Sequence, residues 1–376
     1  MRIKSLSYED PTGPGWTLDR LVFHDHLNLF VGASGSGKTR VLNILFNLGA
    51  SAVRDKFSQG SWTIHFEQSG IEYTWSYEGV ASGDDEGRVI SEHLWLGTPD
   101  EHHSEIISRS EAELIYNGVK TPKLPENNSA LYLLRNEDQL KSVHEAFSRI
   151  MRRRFWSEDL SEAVTLRPIP RRLISKLTQR PDKLVVWGSQ SSLHVTLCLL
   201  EQFFRHDYDI ICDHFRRVFP FVTDIRISTA AEALNLPLGA DVPVVLLKER
   251  NVDRPVHLNE VSSGMQKVLL IITDIILSPP DVLYLIDEYE NSLGVNAIDF
   301  LPPFLTECGG ARQFVLTTHH PLLINSIPVR SWFIFHRHGL RIRVTQGTEI
   351  EERYGKSKQQ RFIQLINDPL YTEGVK

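Results

Sequence analysis

Cysteine is scarce. Cys198, Cys212 and Cys308 lie far apart in 376 residues, and none forms a CxxC pair. This argues against a disulfide framework or a zinc ribbon and suits a reducing cytoplasm. Long apolar runs are missing too. The most apolar stretch, Val268–Leu277, is interrupted by Thr273 and Asp274, so neither a transmembrane helix nor a membrane partner is expected. Met1–Asp10 lacks the apolar centre of a signal peptide. No internal repeat, low-complexity tract or sustained heptad is present, which argues against solenoids, disorder and long coiled coils. Excess positive charge is also absent: 41 Lys and Arg against 47 Asp and Glu leave a net charge of −6. Attraction of the whole chain to nucleic acid is therefore not expected. The composition, 41% hydrophobic and 23% charged, is that of a globular protein with a sizeable core.

The apolar pattern supplies the elements. Met1–Tyr8 and Trp16–Phe23 read as strands around a turn at Thr12–Gly15. His26–Val31 is a third strand, and Val41, Leu42, Leu45, Phe46 and Leu48 recur at helical spacing beyond a glycine-rich loop. A hairpin spans 61–78, turning at Ser69-Gly70, and Ala81–Gly87 is an acidic loop. Leu131–Arg154 and Ser191–Val218 read as helical, Asp224–Ile227 and Val242–Lys248 as strands. The last third alternates: helix 264–277, strand Val282–Ile286, helix 295–307, strand Gln313–Thr317, then a hairpin over Trp332–Val344 turning at Gly339 and a polar tail that includes Glu349, Glu351 and Glu352. Such alternation predicts parallel strands with crossover helices. The expected fold is α/β, with a mixed sheet, an N-terminal β-rich subdomain and a helical lid insertion. The expected segments are an N-terminal lobe (1–125), the insertion (126–220), a C-terminal lobe (221–345) and a tail (346–376).

Four motifs carry chemistry. Gly32-Ala33-Ser34-Gly35-Ser36-Gly37-Lys38-Thr39 fits G-x-x-x-x-G-K-[ST], after a strand and before a helix. Glycines allow a nest of N–H groups around phosphates, and a helix N-terminus favours negative charge. Lys38 is expected to reach the β- and γ-phosphates of ATP, Thr39 to offer its hydroxyl to Mg²⁺, and Arg40 to join the nucleotide contacts. Val282–Ile286 then delivers Asp287 and Glu288, as in a Walker B strand. Asp287 would support Mg²⁺, and Glu288 would act as general base toward the attacking water. Val261-Ser262-Ser263-Gly264-Met265-Gln266-Lys267 opens a long apolar helix stopped by Pro279-Pro280. There Ser262, Ser263 and Gly264 would form a γ-phosphate site, and plain helix capping is the alternative. Last, Thr318-His319-His320-Pro321 follows a strand. Either histidine could face the γ-phosphate.

These motifs, in this order, resemble those of ABC-type ATPases. The resemblance makes Ser262–Gly264 a signature motif that acts on ATP bound by a second subunit, and makes His319 the switch histidine. It implies a homodimer or higher homo-oligomer. The 223 positions between Lys38 and Ser262 are too many for a compact transporter subunit, and the SMC-like ATPases fill this gap with coiled coil. Asp287-Glu288-Tyr289-Glu290-Asn291-Ser292-Leu293 with the Thr-His-His-Pro run, and the hairpin near Tyr73–Tyr77, are similar to the overcoming-lysogenization-defect (OLD) ATPases and their stand-alone relatives. That similarity implies a sensor or regulatory subunit of an anti-phage system such as Septu, PARIS or a retron-linked module, with an effector protein encoded by a neighbouring gene. Only fifty-six residues follow His320, too few for the Toprim nuclease of the OLD nucleases.

One local basic stretch remains. Arg149–Lys183 holds ten basic residues against four acidic ones, with Phe155 and Trp156 beside Arg152, Arg153 and Arg154. It reads as a nucleic-acid groove, a partner-docking face or a solvated helix face. The first reading goes with the alternative function, a DNA-repair ATPase resembling RecF.

Overall fold

The computed structural model describes residues 1–10, 15–81, 87–98, 100–154, 167–189, 191–234, 242–291, 293–355 and 360–375. Most of the predicted first turn, the interior of the acidic loop, Phe155 and Trp156 with their acidic neighbours, and Ser292 lie outside the described residues. The chain forms two compact units. The first gathers Met1–Arg153, Asp281–Asp287 and Ala311–Lys376; the second gathers Arg154–Pro280 and Glu288–Gly310.

The first unit is built on one mixed sheet, fourteen-stranded among the described residues. Its strands are β1 (Arg2–Glu9), β2 (Thr17–Val22), β3 (Leu27–Val31), β4 (Gly60–Gln68), β5 (Ile71–Val80), β6 (Arg88–Gly97), β7 (His102–Arg109), β8 (Leu114–Tyr116), β9 (Val119–Lys120) and β10 (Ile150–Arg154). After β11 (Val222–Thr229), β12 (Pro243–Glu249) and β13 (Val256–His257) of the second unit come β14 (Leu283–Asp287), β15 (Gln313–Thr317), β16 (Trp332–His338) and β17 (Arg341–Gln346). The order is β10-β14-β15-β3-β16-β17-β2-β1-β4-β5-β6-β7-β8-β9. From β14 through β15 and β3 to β16 the pairing is parallel, with Leu283 opposite Gln313 and Phe314 opposite Leu27. These strands are nearly all apolar because both faces are covered. From β4 to β9 the sheet is an antiparallel meander that extends the predicted hairpin.

Alternation along the meander delivers aromatics to one face. Trp62 stacks on Tyr77 at 4.0 Å, and Phe147 of the helix Asp138–Ser148 meets Trp75 and Phe66 edge-on at 5.2 and 5.0 Å. Buried polar groups pin the strands. Gln313, fully buried on β15, accepts from Ile3 N at 2.8 Å and donates to Ile3 O and His24 O at 2.8 and 2.9 Å.

Two expectations change. Leu131–Arg154 is not one helix but two, Ala130–Leu133 and Asp138–Ser148, followed by β10. The edge of β14 offers unpaired backbone groups, and Leu283 N donates to Arg149 O at 3.2 Å. Pairing with that edge outweighs the helical preference of Ile-Met-Arg-Arg-Arg. The polar tail also packs: Ile350 and Leu365 are buried, and Arg337 N donates to Gly374 O at 2.8 Å.

In the second unit, β11, β12 and β13 form an antiparallel sheet. The helix Leu193–Phe203 packs on it, and the long apolar helix is Ser263–Leu277. His194 joins two parts of this unit: its Nδ1 accepts from Val245 N and its Nε2 faces Asn259 Oδ1, both at 3.1 Å. No helix among the described residues is long and apolar enough to cross a membrane.

Glu92 is the most deeply buried carboxyl of the meander. It accepts from Trp75 Nε1 (3.1 Å), Ser129 Oγ (2.7 Å), Ala130 N (2.6 Å) and Leu131 N (3.4 Å). Burial pushes its carboxyl above the usual range, opposed by these hydrogen bonds and by Arg109. Four donors and no acceptor suit an ionised carboxylate. Glu92→Gln turns an N–H₂ toward donors and is expected to cost about 2 kcal/mol, read from the midpoint of urea denaturation. An unchanged midpoint would overturn the ionised assignment.

Candidate functional site

The site grows from the carboxyl ends of three parallel strands, where ligands gather in open α/β sheets. β3 ends at Val31 and the chain turns through Gly32–Gly37 into the helix Lys38–Val53. Gly32 and Gly37 have φ of 146° and 106°. A Cβ on Gly37 would lie 2.3 Å from Ile342 Cδ1, and one on Gly32 2.6 Å from Phe335 O. Both conformation and space therefore require glycine. No side chain caps this helix and no acidic residue lies in its first turn, so the N-terminal N–H groups are left for an anion.

Lys38 is buried, its Nζ donating to Gly32 O (2.8 Å) and Ala33 O (3.0 Å), with Ser36 Oγ at 3.5 Å. The ammonium lies inside the loop. Thr39 points to the end of β14, where its Oγ1 donates to Asp287 Oδ1 at 3.1 Å. Thr317, the last residue of β15, donates to the same oxygen at 2.8 Å. Asp287 Oδ2 accepts from Arg152 Nη2 at 3.2 Å, and Arg152 Nη1 also meets Asn43 Oδ1. A hydroxyl and a carboxylate are hard oxygen donors of the kind Mg²⁺ takes one or two at a time, beside waters and phosphates. The donor set at Thr39 and Asp287 fits that ion. Among the described residues, no group of three His, Cys, Asp or Glu side chains is set to hold a metal by itself.

Arg40 lies over the Trp16 ring at 5.3 Å, and Trp16 packs against Tyr8 at 4.7 Å. The adjacent histidines differ in role. His320 caps the helix Pro321–Ser326, its Nδ1 accepting from Leu322 N at 3.3 Å, while His320 N donates to Thr318 Oγ1 at 3.0 Å. His319 is half-buried just before that cap.

The remaining predicted residues belong to the second unit. Ser262 is the N-cap of Ser263–Leu277, its Oγ accepting from Met265 N at 3.3 Å. Ser262 and Ser263 are exposed and Gly264 is buried. Glu288 has φ of 47°, a left-handed conformation uncommon outside glycine, and its Oε2 accepts from Asn291 Nδ2 at 2.7 Å. Sparsely populated backbone held by its surroundings is frequent at functional sites.

The family described as "AAA domain, putative AbiEii toxin, Type IV TA system" matches residues 27–325. The chain belongs to this family. Among solved structures, this AAA-domain protein is similar to the Smc head bound to the C-winged helix domain of ScpA, with a TM-score of 0.52 and 13% identity over 92% of this chain and 98% of that one. It is also similar to an Smc head domain with an extended coiled coil bound to the C-terminal domain of ScpA derived from Pyrococcus furiosus, with a TM-score of 0.52 and 12% identity over 94% and 99%. At these identities the likeness shows the fold, that of an ABC/SMC-like P-loop ATPase head. No curated protein matches.

Sequence reasoning missed Asn43, Arg152, Thr317 and Lys267 of this ATPase-family chain. Only Asn43 left a signal, lying four residues after Thr39 on the same helical face. Lys267, fully buried one turn past the Ser-Ser-Gly, donates to Tyr289 O at 2.6 Å and Asn291 O at 2.7 Å. It thereby ties the long helix to the segment after Glu288 within the second unit. Burial pulls its ammonium down to about 7, against the opposing pull of Glu290 and Glu288. The sign follows: between pH 7 and the unfolded value of 10.5, the unfolded chain binds more protons, so stability rises with pH. Wild type should gain up to about 1.4 kcal/mol per pH unit over this window relative to Lys267→Met, measured by urea denaturation at pH 7, 8 and 9. Parallel pH profiles would refute the lowered value.

Proposed function

We propose that this protein binds and hydrolyses ATP with Mg²⁺, and that two heads sandwich two nucleotides. In this reading Gly32–Gly37 cradles the phosphates and Lys38 neutralises the β- and γ-phosphates. Thr39 and Asp287 hold Mg²⁺, which polarises the phosphate oxygens when bound. Arg40 contributes to nucleotide binding. Glu288 takes the proton of the attacking water, and His319, with His320 committed to its helix, faces the γ-phosphate. Ser262, Ser263 and Gly264 meet the nucleotide of the partner head. The observation that carries this reading is the approach of Thr39 Oγ1 and Asp287 Oδ1, 3.1 Å apart beside an uncapped helix N-terminus.

The reading extends to regulation. The OLD-like Asp-Glu-Tyr-Glu-Asn and Thr-His-His-Pro runs, and a family described with a toxin system, support a cytoplasmic sensor subunit of an anti-phage module. An effector protein from a neighbouring gene would be switched by nucleotide-dependent dimerisation. A second reading, a RecF-like DNA-repair ATPase, is favoured by one surface. On the helix Arg171–Gln179, Leu173 and Leu177 are buried while Arg171, Arg172 and Lys176 are exposed, followed by exposed Arg180. Not all of the basic stretch is available for such contacts, because Arg149 pairs with Asp281 at 2.5 Å and Arg152 with Asp287.

Glu288→Gln is expected to slow ATP turnover by about 10²–10⁴-fold and to accumulate an ATP-bound dimer. Phosphate release and light scattering measure the two effects. A protein that stays monomeric at saturating Mg-ATP would sink the sandwich. Purifying tagged Glu288→Gln protein with its genomic neighbours co-expressed then separates the two readings. A stoichiometric protein partner supports the sensor subunit. Duplex DNA whose binding falls steeply with salt supports the repair reading.

A further inference from the structure

Asp287 already has a cation. Arg152 reaches it from β10, the strand beside β14, with Nη2 at 3.2 Å from Oδ2. The two side chains are 4% and 10% exposed, so little of the pair meets solvent. The guanidinium is held on its other side by Asn43, which stands one turn beyond Thr39 on the P-loop helix. Asp287 Oδ1 meanwhile accepts from both Thr39 and Thr317. Both carboxylate oxygens are thus in use, and the negative charge that would attract a divalent ion is balanced. An arginine cannot escape this by losing its proton. A bare Mg²⁺ entering here meets a fixed positive charge a few ångströms away, with little water to screen it. Nucleotide phosphates change the balance by adding several negative charges on the Thr39 side.

We propose that Arg152 is a resident cation on Asp287 that makes divalent-metal loading conditional on nucleotide phosphate. Arg152 is then a positioning residue: it prevents idle metal binding and keeps the Asp287 carboxylate aimed at Thr39 until Mg-ATP arrives. The proposal rests on the reading of Thr39 and Asp287 as the metal site, and the test separates the two.

Mn²⁺ serves as the probe, its binding followed by electron paramagnetic resonance, with and without a non-hydrolysable ATP analogue. Nucleotide-free wild type should bind Mn²⁺ weakly. Arg152→Met, without nucleotide, should bind it at least about tenfold more tightly, and Arg152→Lys, which keeps the charge, should stay closer to wild type. Arg152→Met combined with Asp287→Asn should lose the gained affinity. Asn43→Ala, which removes only the anchor of the guanidinium, should shift affinity in the same direction by less, and it serves if Arg152→Met does not fold. Equal nucleotide-free affinities in wild type, Arg152→Met and Asn43→Ala overturn the resident-cation role. So does Arg152→Met weakening analogue binding with no change toward Mn²⁺, which would place Arg152 on the nucleotide instead. If Asp287→Asn leaves analogue-dependent Mn²⁺ binding intact, the metal-site reading itself fails.

Discussion

A carboxylate at the end of a buried strand must be satisfied, and Asp287 is satisfied from three directions. Thr39 comes from the P-loop helix, Thr317 from β15 and Arg152 from β10. An unpaired buried charge would cost several kcal/mol, so these elements are bound to one register. Asp287 lies at the end of β14, whose partner β15 also carries Thr317 at its own end. β3, on the other side of β15, launches the glycine-rich loop. Parallel pairing aligns the three carboxyl ends.

Elsewhere buried polar side chains act as similar pins in an otherwise apolar interior. Gln313 fastens β15 to β1, and Glu92 fastens the meander to the start of the helix Ala130–Leu133. In the second unit, His194 and Lys267 do the same for β12 and for the segment after Glu288. Each makes at least two hydrogen bonds and so specifies one packing where apolar contacts alone would tolerate several. Lys267 has a further consequence. The helix opened by Ser262 and the segment that begins with Glu288 cannot move independently while its ammonium holds both carbonyls.

Much of this protein is legible in its residue order because the motifs are local. A glycine-rich loop between an apolar strand and a helix has few alternatives, since left-handed backbone at Gly32 and Gly37 and the helix N-terminus are set within eight residues. The parallel strands β14 and β15 are short apolar runs with clear stops. The antiparallel meander is visible as alternating aromatics. The glycine-rich loop, the carboxylates at the end of β14 and the mixed α/β class are thus legible in the residues alone, whereas the cap at Ser262 is one of two readings they allow.

Tertiary structure decided the rest. Asp287 lies 248 positions from Thr39 and 135 from Arg152, and pairing at such distance leaves no periodic trace. Ile150–Arg154 became a strand only because β14 had an open edge. His320 was separated from His319 only by the helix it caps. For Asp287 and for Ile150–Arg154 the deciding energy is a hydrogen bond or charge pair between distant segments, which exists only after the chain has folded; for His320 it is a local cap on its own helix.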